Sequence, residues 1–406
     1  MKEAKIDSIP HGTVTSPKGF SAGAAFAGVK EGVKRNFDIG ILYSEFACSV
    51  AATFTKNTIK SAPVLLDQQR LGKGTARAVI ANSGNANAST GEQGMADAIE
   101  MTTLAAGMIG IDAENVLVSS TGVIGKHLPM TKIRKAMGNI ALSAEGGHDF
   151  ARAIMTTDRI PKEVAVSVEF GEAKFIIGGV AKGSGMIHPN MATMLCYLTT
   201  DAAVAPEFLN TTLRKVVDDT FNMISVDGDT SPSDTVILMA NGQAKNRAIT
   251  TGSPLAQVFR KALVKVCTEL ARLIARDGEG ATKLIQVTVT GAKTRSDARK
   301  AARTVISSSL LKAAVHGADP NWGRVLAAVG RSGAKVIESK TDVIIGDIMV
   351  LKGGTPQDYA EPSVVEVFKR PDVPIGVNLN LGTSSATAWG CDLSEEYVTI
   401  NSEYMT

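Results

Sequence analysis

The chain has 406 residues, 44% of them hydrophobic and 20% charged, and a formal net charge of +3. That length exceeds what one hydrophobic core usually serves, so two lobes are expected from an ordinary globular composition. The small charge, with no basic block or basic–aromatic alternation, speaks against nucleic-acid binding, and no uncharged apolar run is long enough to span a membrane.

The first residues, Met1 to Asp7, hold Lys2, Glu3 and Lys5 and no apolar signal region, so a cytoplasmic location is expected. Residues 116–119 read as a short buried strand ending in a Thr-Gly turn. Val164, Val166 and Val168 alternate, and Gly171-Glu172 turns the chain into residues 174–180, the pattern of a β-hairpin. Residues 255–275 carry the clearest helical stripe: Leu255, Val258, Phe259, Ala262, Leu263, Val266, Leu270 and Leu273. Ser253-Pro254 marks its start and Asp277-Gly278 its end. A strand follows on Ile285, Val287 and Val289, then a helix over 296–316, then strands over 344–351 and 375–381. Without a strict strand–helix alternation, this mix favours an α+β sandwich with helices packed outside sheets.

Familiar chemical templates are missing. Thirty-nine glycines supply many loops, but 71–75 and 181–184 lack the Walker spacing, no G-x-G-x-x-G follows a strand convincingly, and no G-x-S-x-G occurs. The four cysteines, Cys48, Cys196, Cys267 and Cys391, are scattered as in a protein of a reducing compartment. His11, His127, His148, His188 and His316 do not cluster, so no metal is expected.

The run 185–195 draws attention to an internal threonine, Thr193. Read alone, a threonine before Met194-Leu195-Cys196-Tyr197-Leu198 is most simply the first residue of a buried strand. Its surroundings add a second reading. Ala192 is small, Pro189 and Asn190 favour a turn, and a turn breaking into a strand can hold a strained peptide bond. A cut before Thr193 would create a residue with a hydroxyl nucleophile and its own base, an α-amine of pKa about 7.7–8.0.

The run 180–195 resembles the self-cleavage region of the ornithine acetyltransferase (glutamate N-acetyltransferase) family of arginine biosynthesis. Segments 82–88, 119–125, 155–158, 226–231, 319–324 and 397–404 are similar to that family as well, in the family's order and over essentially the full length. The resemblance implies a layered α/β/β/α sandwich of two lobes, the DmpA/ArgJ-like fold. It implies self-cleavage between Ala192 and Thr193 into an α chain (1–192) and a β chain (193–406), assembled as an α2β2 heterotetramer. Thr193 would then attack the acetyl carbonyl of N-acetylornithine and pass the acetyl group to glutamate by double displacement, without a cofactor. Some family members also take acetyl-CoA as a co-substrate, and the residues leave that open.

The resemblance also implies roles for named residues. Thr121 and Gly122 form the oxyanion hole, and Thr156, Lys182, Thr193, Glu279, Asn401 and Thr406 bind substrate. Without it, Ser120-Thr121-Gly122 is an ordinary turn, Lys182 a solvated surface charge and Glu279 a capping-loop carboxylate. The implied binding positions Asn401 and Thr406 predict that the C-terminus folds into the site. The polar loops 227–234 and 319–324 are expected to be structural turns. Two rivals remain: a self-processing aminopeptidase of the related fold, which passes its acyl group to water, and a non-catalytic protein binding amino acids or small anions.

Overall fold

The computed structural model describes residues 4–30, 36–188 and 194–403. The predicted cut site, Ala192 and Thr193, and the predicted binding residue Thr406 lie outside the described residues. The chain opens with β1 (Lys5–Ser8), β2 (Phe20–Ala25), β3 (Ile39–Phe54), α1 (Ala62–Arg70), β4 (Thr75–Asn85), α2 (Gly91–Ile109) and β5 (Val116–Val123). It continues through α3 (Met130–Met137), α4 (Gly147–Ala153), β6 (Lys162–Phe170), β7 (Ala173–Lys182), β8 (Leu195–Thr200), α5 (Pro206–Asp219), β9 (Ile224–Ser225) and β10 (Thr235–Ala240). After α6 (Leu255–Arg276) come β11 (Leu284–Ala292), α7 (Arg295–Ile306), α8 (Ser309–His316), α9 (Gly323–Gly330), β12 (Asp342–Ile345) and β13 (Ile348–Lys352). The last elements are β14 (Thr355–Pro356), α10 (Glu361–Lys369), β15 (Asp372–Asn378), β16 (Ser384–Cys391) and α11 (Glu395–Glu403).

Among the described residues, the first sheet has the order β1-β6-β7-β8-β10-β3-β4-β5, with β2 also on β3. The long strand β3 belongs to both halves of it. Residues 39–43 pair with β4, the register shifts between Tyr43 and Cys48, and residues 49–54 pair with β10. Side chains alternate across the pleat, so each strand supplies two different cores. Leu195 and Tyr197 of β8, Ile237 and Met239 of β10, Leu42 of β3, Val79 of β4 and Leu117 of β5 join one buried cluster. Both halves of the sheet thus meet across it, and Phe150 of α4 sits edge-on to Tyr197 with ring centroids 5.2 Å apart. The intervening residues face outward. Cys196, Leu198, Val236 and Leu238 pack with side chains of α5 and α6, whereas Ile41, Ile80 and Val118 pack with α1, α2 and α3. The result is the expected α/β/β/α sandwich.

The second lobe is built on the sheet β14-β13-β12-β15-β11-β16-β9, covered by α7. Helix α6 joins the lobes, touching β6 and β7 on one side and β16 on the other. Its apolar stripe is buried nearly as predicted, with Ile274 rather than Leu273 fully inside.

Three predicted elements are corrected. Residues 296–316 form two helices, because Ser308 gives α8 an N-cap of its own, its Oγ accepting from the Leu311 N–H at 3.5 Å. Residues 344–351 form a hairpin, since Gly346 at φ +62° turns β12 into β13. The last predicted strand stops at Asn378, where its Oδ1 accepts the Asn380 N–H at 3.1 Å and Asn380 takes φ +50°. No helix among the described residues is long and apolar enough to cross a membrane.

Candidate active site

Several element ends converge on one cavity of about 420 Å³. Strand β5 brings Thr121 and Gly122 there near its end, and β7 ends there in Lys182. Thr156 comes from the loop after α4, Glu279 from the loop after α6 and Asn401 from α11. The six predicted site residues within the described chain, spread from position 121 to 401, therefore line a single space. Met194, which follows Thr193 in the chain, lines it too.

Lys182 is not the solvated charge a lone lysine suggests. Its side chain is only 8% exposed, and Nζ donates to Thr156 Oγ1 at 2.7 Å and to Thr121 Oγ1 at 3.3 Å. Burial pulls the ammonium below its usual range, and the carboxylate of Asp158, 3.9 Å away, opposes that pull. Asp158 is itself enclosed. Oδ1 accepts from Lys162 Nζ and from the Gly183 N–H, both at 2.6 Å, and Oδ2 accepts from the Thr156 N–H at 3.0 Å. Burial works to raise its carboxyl, but Lys162 and Lys182 hold it well below the carboxylate range. Lys162, fully buried, also donates to Asp277 Oδ2 at 2.7 Å, and Asp277 binds Arg159 through its backbone N–H at 3.0 Å and Nε at 3.2 Å. Sequence reasoning missed this network. In the sequence Asp277 marks only the stop of α6.

Gly122 has a definite reason to be glycine. Its φ is +126°, and a Cβ there would lie 2.3 Å from the carbonyl of Gly84, its register partner on β4. The two strand ends approach so closely that the Gly122 backbone forms cavity wall. Thr121 beside it offers a hydroxyl already held by Lys182.

The far wall carries an acid. Glu279 is 7% exposed and accepts from Asn401 Nδ2 at 2.8 Å, while its N–H donates to Ser184 O at 2.9 Å. It does more than fill a capping loop. A Cβ on Gly185 would sit 2.4 Å from its carboxyl group, so glycine at 185 lets the two segments close. Helix α11 buries none of its residues, and Asn401 is its link to Glu279. A bulky fusion after Thr406 is therefore expected to impair turnover while leaving the melting temperature unchanged. Full activity of such a fusion would contradict a docked C-terminus.

The segment entering the predicted cut site is anchored by the loop 227–234. Asp227 accepts the Met186 N–H at 2.6 Å on Oδ2 and the Ile187 N–H at 2.9 Å on Oδ1. This holds Met186 at φ +53°, an uncommon backbone conformation for a long side chain. His188 contacts Ser225 Oγ through Nδ1 and Arg303 through Nε2, each at 2.9 Å. Burial, with Arg303 adding to it, lowers its pKa to about 4. The imidazole is thus neutral in the fold, while in the unfolded chain it takes a proton below about 6.5. Its contribution to stability is present above pH 6.5 and declines as the pH falls from there to 4. Denaturant titrations across that range should show the decline in the wild type and a smaller slope in His188→Gln. In the loop 319–324, Asp319 pairs with Arg324 at 3.2 Å, and Arg324 NH1 donates to Leu310 O at 2.7 Å.

Among the described residues no group of three or more His, Cys, Asp or Glu side chains could hold a metal ion. The cavity instead offers a buried cation, a buried carboxylate, and a hydroxyl beside a glycine at a strand end. Those parts suit a small molecule carrying both charges and a carbonyl.

Three comparisons bear on this geometry. The model of the ArgJ family matches residues 22–406. The arginine biosynthesis bifunctional protein ArgJ of Dehalococcoides mccartyi (strain CBDB1) is 50% identical over 404 residues, covering 100% of both chains. That of Symbiobacterium thermophilum is 51% identical over 397 residues, covering 97% of this chain and 99% of its own. Among solved structures, the arginine biosynthesis bifunctional protein ArgJ of Bacillus halodurans is 44% identical with a TM-score of 0.50, covering 51% of this chain and 98% of that one. With a family model spanning nearly all of its length and full-length relatives near half identity, the chain belongs to the ArgJ family.

Proposed function

We propose that the protein is a self-processing glutamate N-acetyltransferase that moves the acetyl group of N-acetylornithine to glutamate. One observation carries this reading: the Lys182–Thr121–Thr156 cluster and the Glu279–Asn401 pair lie in one cavity, which Met194 also lines. The relatives named for arginine biosynthesis support it.

In the first stage the Thr193 hydroxyl attacks the Ala192 carbonyl, an N-to-O shift gives an ester, and water opens it. The sheet order explains why chains 1–192 and 193–406 would remain together. Strands β8 and β10 come from the second chain, yet β7 and β3 of the first chain flank them in the same sheet.

In the second stage Thr193 attacks the acetyl carbonyl of N-acetylornithine. Lys182 faces the α-carboxylate and Glu279 the side-chain ammonium, with Thr156, Asn401 and Thr406 completing the binding set. The tetrahedral oxyanion takes hydrogen bonds from Thr121 and the Gly122 N–H, each such donor being worth about 2.7–4 kcal/mol in a transition state. Ornithine leaves, and the amine of glutamate takes the acetyl group from the ester. No cofactor is needed, because the acyl group passes between two amines through one ester. The location is the cytoplasm and the assembly is α2β2.

The test is intact mass spectrometry on purified protein with acetyl-labelled N-acetylornithine. Two chains should appear, with one acetyl on the second chain until glutamate is added and N-acetylglutamate forms. Label released only to water would favour an aminopeptidase-type hydrolase, and a single unlabelled chain would leave a binding protein. A parallel assay with acetyl-CoA and glutamate decides whether a second donor is used.

A further inference from the structure

Asp234 lines the cavity but has no part in the proposed acetyl transfer. It sits one residue before β10, is 2% exposed, and its Oδ2 is buried with no hydrogen-bond partner among the described residues. Buried carboxyl oxygens normally find a donor, so an unpaired one in a cavity wall marks a place where a proton or a donor is handled. Burial raises this carboxyl well above its usual range, against the draw of Ser231, Lys182 and the Met194 N–H.

Its position follows from strand pairing. β8 and β10 run parallel, with Thr235 opposite Leu195, and the Thr235 N–H donates to Met194 O at 2.9 Å. Asp234 therefore lies beside Met194, whose N–H faces the carboxyl group. That nitrogen belongs to the peptide bond formed by the carbonyl of Thr193. Asp234 thus borders the residue that directly follows the nitrogen that must leave when the chain is cut.

We propose that Asp234 is the acid–base group of the chain-cutting step. This rests on the proposed self-processing. As the Thr193 oxygen bonds to the Ala192 carbonyl carbon and the Ala192–Thr193 C–N bond breaks, one Asp234 oxygen gives its proton to the departing nitrogen. The other oxygen takes the hydroxyl proton, so the carboxyl group ends as it began and no co-reactant is consumed.

Processing of freshly made full-length protein, followed on denaturing gels and by intact mass, tests this. Wild type should be cut, Thr193→Ala uncut, and Asp234→Asn cut at least about 100-fold more slowly at an unchanged melting temperature. In Asp234→Ala, added formate, a carboxylic acid small enough for the vacated space, should restore cutting in a concentration-dependent way. Asp234→Asn processed at the wild-type rate would overturn the role of Asp234 and leave self-processing standing. So would an uncut Asp234→Ala that formate does not rescue, since the aspartate would then be structural. An uncut wild type would remove self-processing itself and the inference with it.

Discussion

Thr193→Ala should yield one chain of 42.4 kDa, no acetyl-enzyme, and acetyl transfer lower by on the order of 10⁴-fold or more. The substitution deletes one hydroxyl and one methyl group. Neighbouring segments keep independent anchors. Asp227 still holds the Met186 and Ile187 amides, and Met194 still accepts from the Thr235 N–H. The variant should accordingly melt like the unprocessed wild type, so a lost activity cannot be blamed on a lost fold. The same hydroxyl is asked to act on the backbone and then on the substrate, which Thr193→Ser can separate. A serine hydroxyl is less confined than that of a β-branched threonine. Slow cutting with near-normal turnover of the cut fraction would assign the methyl group to processing. Two chains from Thr193→Ala, or retained transfer, would overturn the mechanism.

Regular elements were legible because their signals are local. The 164–180 hairpin and α6 repeat with the period of the structure they form, and both stand where predicted. Where a single residue overrides a longer stretch, the reading fails: Ser308 caps a new helix inside what reads as one, and Gly346 folds one apparent strand into two. The candidate site divides in the same way. Thr121 and Gly122 sit in a recognisable strand-end turn, but nothing near Lys182 in the sequence announces that its charge is buried. That follows from Asp158, 24 positions upstream, and from Lys162 and Asp277, which pair across 115 positions. Long-range charge pairing has no period to read. Asp227 and Asp234 escaped for a related reason. Their loop is polar and turn-like by composition, and only the fold shows that one holds Met186 and Ile187 while the other faces the cavity.

The buried network also carries the largest stability prediction. Asp158→Asn keeps the shape of the side chain but removes the charge between Lys162 and Lys182, leaving Lys162 to Asp277 alone. Removing one partner from a buried ion pair typically costs about 3–5 kcal/mol, because the remaining charge stays enclosed. The pH dependence gives a separate signature. The carboxyl of Asp158 is held below its unfolded value of about 3.9, so its contribution is complete above that pH and is lost as the pH falls toward the native value. Wild type should therefore lose stability steeply in acid, while Asp158→Asn starts lower and lacks that component. Catalysis should respond through binding. Without Asp158 the burial of Lys182 is opposed less, its ammonium loses protons more readily, and Thr156 loses the acceptor for its N–H. KM for both carboxylate substrates should rise at least about tenfold, more steeply as the pH increases, with kcat less affected. Adding Lys162→Met should restore part of the lost stability, since it removes the stranded charge, and the two costs should fall short of their sum. An Asp158→Asn protein that melts with the wild type and keeps its KM would show that Lys182 is held by its hydroxyl partners alone.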